Sequence, residues 1–151
     1  MVTDSGMPCI SDPGSRIVAA CRKADVLITS APGPTAVATA MALSGFGGHG
    51  FLFAGFPARK SGARRKLLEQ CADVPVPVIL YESPYRLLKL IDEIEETLGE
   101  TRQIFIAREI TKKFEELLTG TPADIRNLFG NRTIKGECVL IIAPRQKSKS
   151  T

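Results

Sequence analysis

The sequence predicts an α/β protein, and three observations carry that expectation. From Phe51 onward, short apolar runs alternate with segments of helical period. Ahead of them, Gly/Pro turns at Ser11-Asp12-Pro13-Gly14 and Ser30-Ala31-Pro32-Gly33-Pro34 each lead into a helical pattern. A chain of 151 residues, 44% hydrophobic, can bury a sizeable core, yet it has no apolar run near the length that spans a membrane.

Taken in order, Asp12 reads as a helix N-cap with Pro13 at the first helical position, and Ile17, Cys21 and Ala24 fall on one face. Val26 to Thr29 reads as a short buried strand ended by the second Gly/Pro turn. Thr35 to Leu43 follows as an Ala-rich helix stopped by Ser44-Gly45. Turn, helix, strand, turn and helix in that order belong to an α/β sheet whose first strands are missing. The strand at 26–29 would then keep an unpaired edge, from which self-association is expected. Four glycines between Gly45 and Gly50 mark a linker, dividing the chain at 1–50 and 51–144.

The second unit opens with a strand over Phe51 to Phe56, then a basic segment continued as a helix by Leu67, Leu68 and Cys71. A strand over Val76 to Tyr81 precedes a helix started by Ser83-Pro84. There Leu87, Ile91, Ile94 and Leu98 form the apolar face and Gly99 the stop. Strands at Ile104 to Ala107 and Glu137 to Ala143 enclose two expected helices, Phe114 to Leu118 and Thr121-Pro122 to Phe129. Residues 145–151 read as a disordered basic tail.

Net charge is +4, compatible with an anionic partner without requiring one. Four cysteines without a Cys-x-x-Cys pair, and the single His49, give no metal cluster and suit free thiols in the cytoplasm. No signal segment is read at the N-terminus.

Candidate chemistry lies after the strands, where open α/β sheets hold ligands. The two Gly/Pro turns are either tight connections or ligand loops that bind through backbone. Tyr81-Glu82-Ser83 is either packing and capping or a carboxylate set at a helix N-terminus. Arg108-Glu109-Ile110-Thr111-Lys112 crowds polar groups after an apolar run, as an ion-paired surface loop or a site would. Arg59, Lys60, Arg64, Arg65 and Lys66 place five cations within eight residues, a solvated helix face or a grip on phosphates.

Six stretches also resemble one family, in order along nearly the whole chain. They are Thr3-Asp4-Ser5-Gly6-Met7-Pro8-Cys9-Ile10-Ser11-Asp12-Pro13-Gly14, Pro32-Gly33-Pro34-Thr35-Ala36, Gly55-Phe56-Pro57, Tyr81-Glu82-Ser83-Pro84-Tyr85-Arg86, Ala107 to Lys112, and Lys135-Gly136-Glu137. The first resembles the SDAGTPxISDPG signature of RsmI-type 16S ribosomal RNA ribose 2′-O-methyltransferases, a branch of the tetrapyrrole methylase superfamily. Ser5 stands where that signature has Ala, and Met7 where it has Thr, which removes a hydroxyl contact.

The resemblance implies the remnant of a first parallel-sheet domain, lacking most of its N-terminal part, followed by a second α/β domain with a mixed sheet. It implies S-adenosylmethionine as cofactor, held by Ser5, Gly6, Met7 and Pro8 and by Pro32, Gly33, Pro34 and Thr35. From the second domain Tyr81, Glu82, Ile110, Ile134 and Lys135 would join them. It implies a homodimer acting on 16S ribosomal RNA or the small ribosomal subunit, with a cytidine ribose 2′-hydroxyl as acceptor. A truncated chain is expected to be inactive alone. No general base stands out; Glu82, Glu109 and Lys112 are unranked candidates. Two rivals are a tetrapyrrole methylase, which should show a larger apolar wall, and a non-catalytic RNA-binding fragment.

Overall fold

The computed structural model describes Thr3 and residues 6–145. Five strands form one mixed sheet in the order β1-β2-β5-β3-β4: β1 is Leu52–Gly55, β2 Val78–Glu82, β3 Ile104–Arg108, β4 Glu116–Gly120 and β5 Cys138–Ile142. Only β1 and β2 pair in parallel; β5 runs antiparallel to both β2 and β3, and β4 antiparallel to β3. It follows that β1, β2 and β3 end, and β4 and β5 begin, at one end of the sheet. The register across that end runs Glu82, Cys138, Arg108, Glu116. A polar row therefore closes strands that are otherwise apolar.

Period two in the strands divides the core between the sheet's two faces. On one face Val78, Leu80, Ile106 and Leu140 meet α3 (Ser61–Cys71), α4 (Pro84–Leu98) and α5 (Pro122–Phe129). On the other, Ile79, Phe105, Val139 and Ile141 meet Val37 and Ala40 of α2 (Ala36–Ser44). Helix α4 buries Leu87, Leu90, Ile91 and Ile94, the expected helical spacing. Thr121 and Asp124 cap α5 reciprocally, and Thr35 caps α2 through the Ala38 N–H at 3.0 Å.

Four expectations need correction. Val26 to Thr29 forms no strand: no other described strand lies beside it, and Leu27 is 93% exposed. An apolar run becomes a strand only where a neighbour takes its backbone hydrogen bonds. Residues 114–118 are not a helix either, because β4 occupies Glu116–Gly120 as an edge strand paired with β3. Phe114, Leu117 and Leu118 mimic helical spacing, but only Leu118 packs on the core. The first helix, α1 (Ser15–Lys23), starts two residues later than the Asp12 cap implied, with Gly14 in the cap position. Of the expected disordered tail, Arg145 pairs with Asp73 at 3.2 Å, and 146–151 lie outside the described residues. No helix of the described residues is long and apolar enough to cross a membrane.

Candidate functional site

A cavity of about 460 Å³ opens at the polar end of the sheet. Gly6, Met7 and Thr35 line it from the two N-terminal turns, and Tyr81 and Glu82 line it from β2. Five of the thirteen expected cofactor residues thus converge there from segments up to 76 positions apart. The turns also brace one another. A Cβ added at Gly33 would lie 3.1 Å from the Met7 sulfur, and one at Gly6 would lie 3.3 Å from the Pro34 carbonyl oxygen. Gly6 has a φ of 74°, which favours glycine. Ser5 lies outside the described residues. Pro8, Pro32, Gly33 and Pro34 support the turns without lining the cavity, and Ile110 packs beside the α2 face of the core.

Glu82 is 2% exposed. Its Oε1 accepts from the Ser83 N–H at 2.7 Å and from Arg86 Nε and Nη2 at 2.8 and 2.6 Å. Among the described residues its Oε2 has no partner, and neither has Arg86 Nη1. A buried carboxylate oxygen left unpaired is costly, so one on a residue that lines a cavity is suited to receive a ligand hydrogen. Tyr81 beside it stacks edge-on to Phe53 and Phe56, with centroids 4.9 and 5.4 Å away, and burial raises its phenol pKa. Cys138 also lines the cavity, its thiol pushed up to about 11 by burial. The N-terminal ends of α2 and α4 border the same space through Thr35 and Ser83, presenting partial positive charge to an anionic ligand group.

The Arg108–Lys112 loop interlocks with the segment before β5. Glu109 Oε1 accepts from the Glu137 N–H at 3.0 Å and from Lys112 Nζ at 2.9 Å, while Lys112 also reaches Glu137 Oε2 at 2.8 Å. The Glu137 amide, then Lys112, holds the Glu109 carboxyl below the usual carboxylate range. Glu137, then Glu109, holds the Lys112 amine above the usual lysine range. Lys112 is therefore a cation at neutral pH, unfit to take a proton. Glu109 is ionised but already engaged. Gly136 is required here, since a Cβ would overlap the Glu109 side chain and its φ is 89°. Ile134 and Lys135 line a separate cavity beyond this interlock, away from the N-terminal turns.

The five-cation run does not stay together. Arg64 is 2% exposed, its Nη2 on Glu93 Oε1 at 2.6 Å and its Nε on Glu93 Oε2, with further bonds to the Ala58 and Arg59 carbonyls. It fastens α3 to α4 and cannot reach a phosphate. Arg65 pairs with Glu96 at the surface. Arg59, Lys60 and Lys66 stay exposed, and α3 starts with no acidic residue in its first turn. The sequence did not single out Arg86, Ile10, Ser11 or Asp12 for the site, although all sit within its quoted motifs. Among the described residues no cluster of His, Cys, Asp or Glu could hold a metal ion.

Comparison with known proteins supplies the family. The sequence profile described as Tetrapyrrole (Corrin/Porphyrin) Methylases matches residues 1–126. The chain belongs to that family. A curated relative, "Ribosomal RNA small subunit methyltransferase I" of Pasteurella multocida, is 40% identical over 99% of this chain and 54% of its own length. The protein of the same name from Synechocystis is 40% identical over 95% of this chain and 51% of its own length. The chain thus spans about half the length of the curated relatives it matches. Among solved structures, the methyltransferase CobJ superposes with a TM-score of 0.67 at 20% identity, covering 96% of this chain and 65% of that one. Uroporphyrin-III-C-methyltransferase from Thermus thermophilus gives 0.62 at 16%, covering 91% and 60%. These likenesses establish the α/β methylase fold.

Proposed function

We propose that this chain is part of an S-adenosylmethionine-dependent methyltransferase that modifies 16S ribosomal RNA in the small subunit. A cytidine ribose 2′-hydroxyl is the acceptor in this reading. One observation carries it above others: in a relative of small-subunit ribosomal RNA methyltransferases, two Gly/Pro turns and Glu82 converge on one cavity. Its volume lies within the range of about 300–1,000 Å³ usual for small-ligand sites. In this assignment residues 1–50 belong to the methyl-donor domain and 51–144 to the second domain of a cytoplasmic homodimer.

The cavity suits the cofactor chemically. Backbone at Gly6 and Met7 packs against it without obstruction, and the two helix N-termini receive its carboxylate. The unpaired Glu82 Oε2 receives an ammonium or hydroxyl hydrogen. Bound S-adenosylmethionine supplies a methyl group on a sulfonium, so holding the acceptor oxygen in line provides much of the acceleration. Of the three candidate proton acceptors, Lys112 is cationic, and Glu82 is favoured over Glu109 because it lines the donor cavity while Glu109 does not. Arg86 fixes the Glu82 carboxylate through Oε1 alone, so Oε2 can serve either the cofactor or the acceptor hydroxyl, but not both at once. Exposed Arg59 and Lys60 follow β1 at the same end of the sheet and offer charge for the RNA backbone.

The test is a calorimetric titration of the 151-residue chain with S-adenosylmethionine, repeated with Glu82→Gln. Micromolar binding weakened by the substitution supports the reading; binding indifferent to residue 82 removes Glu82 from it. Absence of binding shows that these residues do not form the donor site by themselves.

A further inference from the structure

A second cavity, of about 330 Å³, opens at the same end of the sheet and shares Gly136 with the first. Its wall includes Phe114, Phe129, Arg132 and Lys135. Phe114 is 66% exposed, a large apolar ring standing in water on the loop between β3 and β4. That loop is held in a costly shape. Glu109 and Thr111 have φ of 51° and 64°, left-handed values that side chains other than glycine rarely adopt. The Glu109 N–H donates to the Glu137 carbonyl at 2.9 Å, the Thr111 N–H donates to Glu115 Oε2 at 2.6 Å, and Lys112 bridges two glutamates. Strain kept in place by so many bonds fixes the position of Phe114.

The charges around the ring divide into spent and free. Arg108 is spent on Glu116 and on the Lys135 and Phe114 carbonyls. Arg132 shares Glu116 and lies 5.0 Å above the Phe129 ring. Lys113, its Nζ 5.6 Å from the Phe114 centroid, and Lys135 have no carboxylate partner among the described residues. An exposed aromatic ring with one unpaired lysine against it and another lining the same cavity is a combination that binds unpaired bases and their phosphates.

We propose that this second cavity seats the acceptor stretch of a single-stranded RNA, a base stacking on Phe114 while Lys113 and Lys135 take neighbouring phosphates. The assignment rests on the methyl-transfer reading, which puts the donor in the adjoining cavity. Gly136 lines both cavities, with the Glu109 side chain packed against it, so the two ligands would lie on either side of one thin wall.

The experiment is fluorescence anisotropy of the full 151-residue chain with a fluorescein-labelled, mixed-sequence 12-nucleotide single-stranded RNA as the probe. Phe114→Ala should weaken binding by about 5- to 150-fold, the range of one base stacked on an aromatic ring, and Phe114→Trp should restore it. Lys135→Ala should reduce the slope of log affinity against log salt by about 0.7, one phosphate contact on a single strand. Phe114 is exposed, so its loss should not unfold the chain. Equal affinity for Phe114→Ala and the unsubstituted chain overturns the assignment, as does failure of the unsubstituted chain to bind the probe. The S-adenosylmethionine titration reads the first cavity separately, so the methyl-donor reading stands or falls on that result alone.

Discussion

Glu93→Gln probes the tie between α3 and α4 and, with it, the division of the basic run into structural and exposed cations. The Arg64 and Glu93 side chains are only 3% and 4% exposed, so water cannot replace either partner. The Glu93 carboxyl lies below its usual range, chiefly through Arg64, while Arg64 is shifted upward chiefly through Glu93. Glutamine keeps the shape but removes the charge, leaving a buried guanidinium with two carbonyls and no anion. Removing one partner of such a pair costs about 3–5 kcal/mol. In a domain of this size each kcal/mol lowers Tm by about 2–4 °C, so the expected drop is about 6–20 °C. Thermal unfolding followed by circular dichroism at pH 7 measures it. The double variant Arg64→Met/Glu93→Leu should recover most of the loss, since a packed apolar pair can replace a buried ionic one. Its RNA affinity should match that of the unsubstituted chain, because Arg64 does not face solvent. A drop below about 2 °C for Glu93→Gln, or weaker RNA binding by the double variant, would refute the reasoning.

Two further outcomes concern stability, the first at the interlock between the β3–β4 loop and Gly136. Gly136→Ala should destabilise the chain by about 1–3 kcal/mol in denaturant unfolding, because its Cβ displaces Glu109 and its φ is unfavourable for alanine. Gly47→Ala, where nothing lies within 4 Å, should change stability little and serves as the control. Stability should also fall in acid. Glu93, Glu109 and Asp124 titrate below their ordinary values, as does Glu116, where burial opposes the shift but Arg108 and Arg132 outweigh it. Their contribution is full above the ordinary value of 4.5 for Glu and is lost as pH falls through the lower folded values. Urea midpoints measured from pH 7 down to pH 3 should therefore decline below pH 4.5, and a flat profile would show these pairs to be screened.

Much of this fold was legible because its signals are local. Pro84 and Gly99 bracket α4, whose buried residues repeat at helical spacing, and the apolar runs of β2, β3 and β5 lie between polar turns. What failed depended on distant partners. Leu117 and Leu118 suit either a helix or an edge strand, and only pairing with β3 decides between them. Val26 to Thr29 has the composition of a strand but no described neighbour. Arg64 looked like its neighbours in the basic run because its partner lies 29 residues away on another helix. The site was legible as segments rather than as an assembly. Tyr81-Glu82, Arg108-Glu109 and Gly136-Glu137 each adjoin a strand end, but the order β2-β5-β3 is what sets them side by side. That order also puts Lys135 with Phe114 and away from Gly6, a separation that spacing along the chain cannot show.

The row Glu82, Cys138, Arg108, Glu116 explains why site and stability are hard to separate in this chain. Strand ends release backbone groups from the ladder, so polar side chains collect there to satisfy them. Arg108 does so with the Lys135 and Phe114 carbonyls, and Glu82 with the Ser83 amide. These bonds close the end of the sheet and, in the same act, shape two cavities on either side of Gly136. Most of the polar capacity in the row is consumed by the fold itself. The exceptions are Glu82 Oε2 and Arg86 Nη1, buried without partners among the described residues. Arg108 is satisfied by three acceptors while these two atoms are not, which is why Glu82→Gln is the substitution that separates the proposed site from the fold.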